Sequence, residues 1–268
     1  MRITSLQNDR IKAAIKLQKA RERSRQQQTL VEGYRSLLAA VENGYPLQEV
    51  YACPELYLGQ NEADLLARAA VAGAEIVEVA EAPFRKLSAR DRPDGLLAIA
   101  PQARRELDSF TPGETCLLLI AEAVEKPANL GMILRSADAA GADALIVCNR
   151  VADVYHPEVI RASVGTFFSM PIYDVASEQA LDWCRRHRVH TLAATPFAEQ
   201  TYTDAQMNGR IALAVGAEQY GLSKLWMEQA DDQVRLPMLG QADSLNVAMA
   251  ATILLYEALR QRQVWTEQ

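Results

Sequence analysis

The most informative stretch for the fold lies at residues 234–259, VRLPMLGQADSLNVAMAATILLYEAL. A short apolar strand is followed by a loop of small and polar residues, and a long apolar helix is predicted over 244–262. Ser244 and Asn246 therefore place a hydroxyl and a carboxamide where a helix that is apolar on nearly every side begins. A simple explanation is that Ser244 caps the helix. The alternative is that both side chains face a ligand.

The last helix has no wide polar face. One face carries Leu245, Met249, Thr252, Leu255, Tyr256 and Leu259, and the rest of the circumference carries Val247, Ala251, Ile253, Leu254 and Ala258. Such a helix must be covered on several sides, either by the rest of its own chain or by a second subunit.

Composition indicates a globular protein with one large or two ordinary domains. The chain has 268 residues, of which 49% are hydrophobic and 23% are charged. We expect no membrane span, because no apolar run approaches the roughly 20 residues required, and no secretory signal precedes the first helix. The widely spaced cysteines predict buried thiols in a reducing compartment, which suggests the cytoplasm: Cys53, Cys116, Cys148 and Cys184.

Charge is distributed unevenly along the chain. The formal net charge is −6, yet residues 1–28 contain eight basic side chains against Asp9 and Glu22 and carry +6, which leaves −12 on the rest. A basic end on an acidic body is expected when one part contacts phosphate groups. An ordinary solvated helix face would give the same local pattern.

The first hundred residues predict a small α/β domain. Helical periodicity occurs at 11–24, 34–44 and 62–73, and three strands are predicted in LQEVYAC, AEIVEVA and GLLAIA. Prolines, a glycine and charged residues then cluster, so we predict a linker at 101–113.

Six apolar runs alternate with helical patterns in the second half of the chain. This alternation predicts a parallel sheet covered on both faces, and hence an α/β fold. The strands are predicted in CLLLIAEAV, DALIVCN, MPIYDV, HTLAAT, IALAVG and QVRLP, and the helices at 129–141, 157–165, 177–188, 222–230 and 244–262.

Common active-site motifs are absent. No GxGxxG or GxxxxGK[ST] occurs, which argues against a Rossmann or P-loop nucleotide site. Ser163 lacks the glycine of a nucleophile elbow, because Arg161 stands there. One cluster invites a metal hypothesis, but its spacing matches no usual zinc site, so no metal is expected: Cys184, His187 and His190.

Three polar loops each follow a predicted strand. They lie at 121–143, 212–224 and in the stretch quoted above. Ligands bind outside the carboxyl ends of strands in open parallel sheets, so the loops are predicted to converge on one site. Each residue also has a local explanation, as a cap, a surface ion pair or a solvated charge: Asn129, Arg135, Gly216, Glu218, Ser244 and Asn246.

These loops resemble the three motifs of the SpoU/TrmH family of RNA ribose 2′-O-methyltransferases, in the SPOUT class. The resemblance rests on PANLGMILRSA, GAEQYGL and PMLGQADSLNV, which occur in the family's order and spacing, and on RASVGTFFSMP between the first two. It covers about residues 115–262. Residues 1–100 look like the smaller RNA-substrate-binding domain, similar to ribosomal protein L30e, that many members carry, through ITSLQNDRIKAAIKL and TLVEGYRSLLAAV.

The resemblance implies a domain organisation and a cofactor. It implies an L30e-like RNA substrate-binding domain at 1–100 and a SPOUT methyltransferase domain at 114–268, with a parallel sheet and a deep trefoil knot. It also implies S-adenosylmethionine as methyl donor and a homodimer. Knots are nearly absent from protein folds, and periodicity gives no sign of one here.

The resemblance also implies residue roles. The catalytic pocket would consist of Asn129, Arg135, Glu218, Ser244 and Asn246. In the family the matching arginine has been proposed to receive the proton, but a guanidinium is normally charged. A role for Arg135 as a clamp for phosphate and alkoxide suits its chemistry better, with Glu218 as an alternative base.

Further positions would hold the donor and the RNA. The donor residues implied are Thr195, Gly216, Leu236, Met238 and Leu245. The RNA phosphates would be contacted by Arg10, Lys12, Lys16, Lys19, Arg21, Arg23 and Arg25.

The three motifs together with the added N-terminal domain imply ribosomal RNA as the substrate, because shorter relatives that act on transfer RNA often lack such a domain. A transfer RNA enzyme is the nearest alternative. A non-catalytic RNA-binding or ribosome-assembly protein of the same fold is another, and it would be expected to carry a broken motif.

Overall fold

The computed structural model describes residues 2–262, which form two compact units. The first unit contains the residues up to 103 together with 155–169, and the second contains 104–154 and the residues from 170 onward. Within the described range, no helix is both long and apolar enough to cross a membrane.

The first unit is built on a mixed five-stranded sheet of order β1-β4-β3-β5-β2. Strand β5 runs antiparallel to β2 and β3, and the other pairs are parallel. The strands are β1 Arg2–Ile3, β2 Gln28–Glu32, β3 Glu49–Ala52, β4 Glu75–Val79 and β5 Leu96–Pro101. The helices are α1 Asp9–Lys16, α2 Ala20–Gln26, α3 Tyr34–Glu42, α4 Glu62–Val71 and α5 Glu81–Leu87.

Three of these strands match the sequence prediction, and two were missed. Strand β1 is only two residues long, and β2 has a short apolar centre at Leu30 and Val31 next to a run of glutamines. Neither segment shows the alternation or the length that identifies a strand from sequence. Pairing with β4 and with β5 stabilises them instead.

The second unit is built on a six-stranded, wholly parallel sheet, which confirms the predicted α/β architecture. Its order is β11-β9-β10-β6-β7-β8. The strands are β6 Cys116–Glu122, β7 Ala144–Cys148, β8 Ile172–Val175, β9 His190–Ala194, β10 Arg210–Val215 and β11 Asp232–Val234. Four of the helices around it are α6 Pro127–Ala139, α8 Ser177–Arg186, α9 Lys224–Gln229 and α10 Val247–Gln261.

Helix α7, Pro157–Ala162, corrects one detail of the sequence prediction. It was expected to cover the parallel sheet, but it belongs to the first unit and packs against β2. The Thr29 hydroxyl there donates a 2.6 Å hydrogen bond to the carbonyl of Tyr155. Periodicity identified the helix, but it carries no information about which sheet receives the apolar face.

Helix α10 begins three residues later than predicted. Its first residue is Val247, and the carboxamide of Asn246 accepts a 3.0 Å hydrogen bond from the backbone N–H of Ala248. Asn246 is therefore the cap, and the suggestion that Ser244 caps the helix is wrong. The Ser244 side chain is free for another role.

The two faces of α10 meet different surroundings. Its buried residues include Val247, Ala251, Leu254 and Ala258, and the helix packs against α6 and β10. Met249, Ile253 and Tyr256 remain 37–61% exposed. The rest of the chain thus covers one side of this helix and leaves an apolar stripe on another.

All four cysteines are buried, as predicted, and burial raises the pKa of each thiol, to about 12 for Cys116 and Cys184. The thiolate is the reactive form, so the native protein should not react with an aromatic disulfide reagent at pH 8. Absorbance should report four thiols only after denaturation. Rapid release of colour by native protein would contradict the burial of at least one of the four cysteines.

Candidate active site

Loops that follow neighbouring parallel strands lie at one edge of the second sheet. Strand β10 pairs with β6 so that Val215 is opposite Ala121, and with β9 so that Ala214 is opposite Ala193. Chain order also reverses beside β6, because β7 and β8 extend the sheet in one direction and β9 and β10 in the other. This is a topological switch point, where open α/β sheets bind ligands.

Three predicted site residues meet at this edge. The Asn129 carboxamide is 4% exposed, and its Nδ2 donates to Glu218 Oε1. Asn246 Nδ2 donates a 3.3 Å hydrogen bond to Asn129 Oδ1. One residue from each motif loop is thus joined in a single chain of hydrogen bonds, which we call the Asn129–Glu218–Asn246 cluster.

Backbone contacts support the same cluster. The N–H of Glu125, in the loop before α6, lies 3.4 Å from Glu218 Oε2. Asn129 stands at the third position of α6 and makes its contact outward to Glu218, so it does not act as the cap of its own helix. The local explanations offered for Asn129 and Glu218, a helix cap and a solvated charge, do not fit these positions.

Two other predicted catalytic residues lie outside the cluster. Arg135 is exposed, six residues beyond Asn129 on α6, and Ser244 is exposed on the loop before α10. Neither has a hydrogen bond or ion pair with another residue in the range 2–262. The explanation of Arg135 as a partner in a surface ion pair therefore fails, and both side chains are free to bind a ligand.

The predicted donor residues follow β9, β10 and β11. The Thr195 N–H donates a 2.9 Å hydrogen bond to the carbonyl of Val234, which holds the ends of β9 and β11 side by side. Leu236 and Met238 are half-buried on the loop after β11, and Leu245 is 37% exposed. Apolar side chains beside loop backbone groups fit the adenosine part of S-adenosylmethionine, which needs an apolar crevice and main-chain hydrogen bonds.

The structure shows why position 216 is a glycine, which the sequence did not reveal. A Cβ atom there would lie 2.2 Å from the carbonyl carbon of Gly221 and 2.3 Å from its oxygen. Ala217 and Gly221 exchange two backbone hydrogen bonds, of 3.1 and 2.9 Å, so the loop folds tightly back on itself. The close approach expected at Gly216 is thus made by its own loop, which also carries Glu218.

A buried carboxylate that was not predicted from the sequence connects several loops at this edge. Glu122, the last residue of β6, is 2% exposed, and its Oε1 accepts hydrogen bonds from the hydroxyls of Ser177 and Ser223 at 2.6 and 2.8 Å. Its Oε2 accepts a 2.6 Å bond from the Ser223 N–H, and Asn149 Nδ2 lies 3.3 Å from Oε1. Glu122 thereby ties the Glu218 loop to the ends of β6 and β7.

Nothing local marks Glu122 in the sequence. It stands at the end of an apolar run, two residues before Val124, and its partners are 27 to 101 residues away. A buried acid at the end of an apolar strand is a weak signal of such a network, because burial of a carboxylate requires partners.

The predicted RNA-binding residues of the first unit separate into two groups. Arg23 is 1% exposed, and its Nη1 donates to the carbonyls of Leu17 and Gln18 at 3.0 and 2.9 Å. It holds the end of α1 and cannot reach phosphate, which corrects its assignment. Arg10 is held by Glu75, and this hydrogen bond raises the pKa of Arg10.

The remaining basic side chains of this segment are exposed. Arg25 pairs with Glu22 at 2.7 Å, and Lys12 lies 4.0 Å from Asp9. The exposed members that remain available for phosphate are Lys12, Lys16, Lys19, Arg21 and Arg25.

The structure gives no support for a metal site at Cys184, His187 and His190. Cys184 is fully buried, and the His187 ring stacks on Trp183 with centroids 4.4 Å apart. Among residues 2–262, no three His, Cys, Asp or Glu side chains are grouped as metal ligands.

Removal of the Glu122 charge should destabilise the second unit. In Glu122→Gln an amide must take one of the two carboxylate positions, so at least one buried donor among Ser177 and Ser223 loses its acceptor. We expect the free energy of unfolding in urea to fall by about 1–3 kcal/mol. Glu125→Gln, at an exposed site nearby, should change it by less than about 0.5 kcal/mol. Equal stability of both variants would contradict the role of Glu122.

Two known families match the chain. Residues 116–256 match the SpoU rRNA Methylase family, and residues 8–98 match the MRM3-like substrate binding domain. The chain is 35% identical over 253 residues to the 23S rRNA (uridine(2479)-2′-O)-methyltransferase of Streptomyces viridochromogenes, an alignment covering 90% of this chain and 85% of that protein.

Solved structures give the same result. A crystal structure described as an RNA 2′-O ribose methyltransferase is 44% identical, with a TM-score of 0.86 and coverage of 98% of this chain and 100% of that one. The AdoMet-bound rRNA methyltransferase from Sinorhizobium meliloti is 28% identical, with a TM-score of 0.90 and coverage of 99% of each chain. The same conclusion follows from the motif cluster, the N-terminal domain and the similarity over nearly the whole chain. The chain belongs to the SpoU rRNA methylase family.

Proposed function

We propose that this protein transfers a methyl group from S-adenosylmethionine to a ribose 2′-hydroxyl of ribosomal RNA. The Asn129–Glu218–Asn246 cluster carries the proposal, because it joins all three motif loops at the switch point of the sheet. The relatives described above, named as 2′-O-methyltransferases of RNA, support the reaction type, and the AdoMet-bound neighbour supports the donor.

The reaction requires an oriented hydroxyl, a stabilised oxygen and an acceptor for its proton. S-adenosylmethionine supplies the electrophilic methyl group. Asn129 is held by Glu218 and Asn246 by Asn129, so both carboxamides can position the ribose without first reorganising. Ser244, two residues before the α10 cap, is placed to bind an adjacent phosphate.

Arg135 and Glu218 have different roles in the proposed reaction: Arg135 stabilises negative charge, and Glu218 accepts the proton. The exposed guanidinium of Arg135 has no partner in the described part of the chain, so it can clamp the phosphate and stabilise the developing alkoxide. Among residues 2–262, Glu218 Oε2 accepts only a 3.4 Å bond from the Glu125 N–H, which leaves this oxygen able to take the hydroxyl proton. The donor would lie against Thr195, Gly216, Leu236, Met238 and Leu245.

Ribosomal RNA is preferred over transfer RNA because the substrate-binding domain is present and because full-length relatives are named for 23S rRNA. A non-catalytic role is disfavoured because none of the three sequence motifs is broken. Labelled methyl transfer from S-adenosylmethionine to 23S rRNA transcripts tests the proposal, and a complete lack of transfer to ribosomal and transfer RNA would refute it.

We also propose a homodimer, a trefoil knot and a cytoplasmic location. The dimer is supported by the apolar stripe of Met249, Ile253 and Tyr256 on α10. Met132 on α6, the helix against which α10 packs, is also exposed, at 41%. The knot is supported by family membership and by the return of α10 to pack on α6 and β10. Unpaired buried cysteines are consistent with a reducing compartment.

Arg135→Ala should abolish most turnover and preserve the donor site. We expect kcat for RNA methylation to fall about 10²–10³-fold, because a charged donor to the transition state is removed. Calorimetry should show unchanged affinity for S-adenosylmethionine. Arg185→Ala, which removes an exposed arginine from α8, should behave like wild type. Retained turnover in Arg135→Ala would remove this residue from the mechanism.

Ile253→Asp should produce a monomer. A charge in the apolar stripe of α10 cannot be buried against a second copy without a large desolvation cost. Analytical ultracentrifugation should show half the wild-type mass with an unchanged circular dichroism spectrum. Val71→Asp, at a 91% exposed site, is the control and should remain dimeric. A monomeric wild type or a dimeric Ile253→Asp would contradict the proposal.

A further inference from the structure

The first unit contains a cavity of about 520 Å³ that none of the predicted sites uses. It lies where α3 begins, and its walls come from the start of α3, the loop before α4, the loop before β5 and α7. All of these segments belong to the same compact unit. Its size is within the range of small-molecule binding pockets.

Buried carboxylates form the floor of this cavity. Glu62 is 4% exposed, and its Oε1 accepts a 2.8 Å hydrogen bond from the Gly59 N–H. Its Oε2 has no donor among the residues that the structure describes. Glu32 is 6% exposed and is already held by Ser88 and by the Ala89 N–H at 3.2 Å. Asp94 Oδ1 also has no donor among the described residues, but this atom is fully buried, so Glu62 Oε2 is the acceptor on which the site is argued.

Arginines form the rim. Arg35 is exposed and has no hydrogen bond or ion pair within residues 2–262. Arg161 is exposed and reaches Glu158 at 3.2 Å, an ion pair that solvent screens. Arg90 is more enclosed and donates to Asp94 at 3.1 Å. Positive charge thus surrounds the mouth, and negative charge lies inside.

Apolar groups complete the lining. Tyr34 is half-buried and provides an aromatic ring, and Leu58 and Val164 are 80% and 38% exposed at the edge. An unpaired base needs such a surface, because bases extruded from RNA stack on aromatic or guanidinium planes.

The cavity is maintained by a glycine. Gly33 has φ +97°, and a Cβ atom there would lie 2.9 Å from Arg90 Nη1 and 3.1 Å from Asp94 Oδ2. Asp94 Oδ2 also accepts a 3.0 Å hydrogen bond from the Tyr34 N–H. Gly33 therefore allows the Arg90–Asp94 pair to pack against the start of α3, which keeps the wall of the cavity in place.

We propose that this cavity binds one unpaired RNA nucleotide whose base carries an exocyclic amino group. The amino group would donate to Glu62 Oε2, the base would stack on Tyr34, and Arg35 and Arg161 would hold the flanking phosphates. The inference rests on the proposed function, since it names the part of the RNA substrate that the first unit recognises. Uracil has no amino group and offers only its ring N3–H as a donor, so it should bind less tightly than the other three bases.

Two variants of the full-length protein test the site with 23S rRNA transcripts. Arg35→Ala should raise KM for RNA about tenfold, leave kcat and S-adenosylmethionine affinity unchanged, and reduce the salt slope of RNA binding by roughly 0.7, the value for one phosphate contact on a single strand. Glu62→Gln should raise KM similarly, because an acceptor facing the base becomes a donor.

Binding of the four 5′-mononucleotides, followed by saturation-transfer NMR, tests the base assignment. AMP, CMP or GMP should bind in preference to UMP, and Glu62→Gln should remove that preference. If UMP binds to wild type as tightly as the other three mononucleotides do, the base assignment is wrong. If Glu62→Gln fails to fold, the exposed Arg35 variant still tests whether the cavity is an RNA site, and UMP binding to wild type still tests the base assignment.

Arg85→Ala is the matched control, because Arg85 is an exposed arginine of the same unit, paired with Glu81 outside the cavity. If wild type methylates RNA and Arg35→Ala has the same KM and salt slope as Arg85→Ala, the cavity is not an RNA site. If wild type methylates no RNA, the proposed function fails first.

Discussion

The site depends on one constraint, the in-register parallel pairing of β10 with β6. Residues 210–215 lie opposite 116–121, so two loops that are about ninety residues apart in sequence leave the sheet side by side. Because parallel strands all end at one edge, each loop delivers its polar residue to the same place. The hydrogen bond between Asn129 and Glu218 is a consequence of that register. A shift by one residue would reverse the face of every β10 side chain.

Buried carboxylates hold loops in both units. Glu122 accepts hydrogen bonds from residues just after β7, at the start of α8 and just before α9. Glu32 and Glu62 accept hydrogen bonds from backbone and hydroxyl donors beside the cavity of the first unit. A buried charge is tolerated only when donors compensate for lost hydration, so each carboxylate fixes the positions of its partners. Loops that must present catalytic or recognition groups are thereby made rigid without additional secondary structure.

Two of the arginines that make the N-terminal segment basic are not available to bind phosphate. Arg23 is buried against backbone carbonyls, and Arg10 is occupied by Glu75. Arg35, Arg90 and Arg161 lie outside that segment and come together only in three dimensions. In the proposed nucleotide site, recognition of RNA would depend on the spatial arrangement of these arginines more than on the local density of positive charge.

The sequence by itself determined the parallel sheet, the order of most elements and the three motif loops. Apolar runs, helical periodicity and motif spacing are local properties, and they indicated these features directly. Tertiary structure alone decided that Asn246 caps α10, that α7 packs in the first unit, that Glu122 anchors the site edge and that a cavity opens beside Gly33. Each of these depends on contacts between residues far apart in the chain, or on the backbone geometry of one turn, which periodicity does not encode.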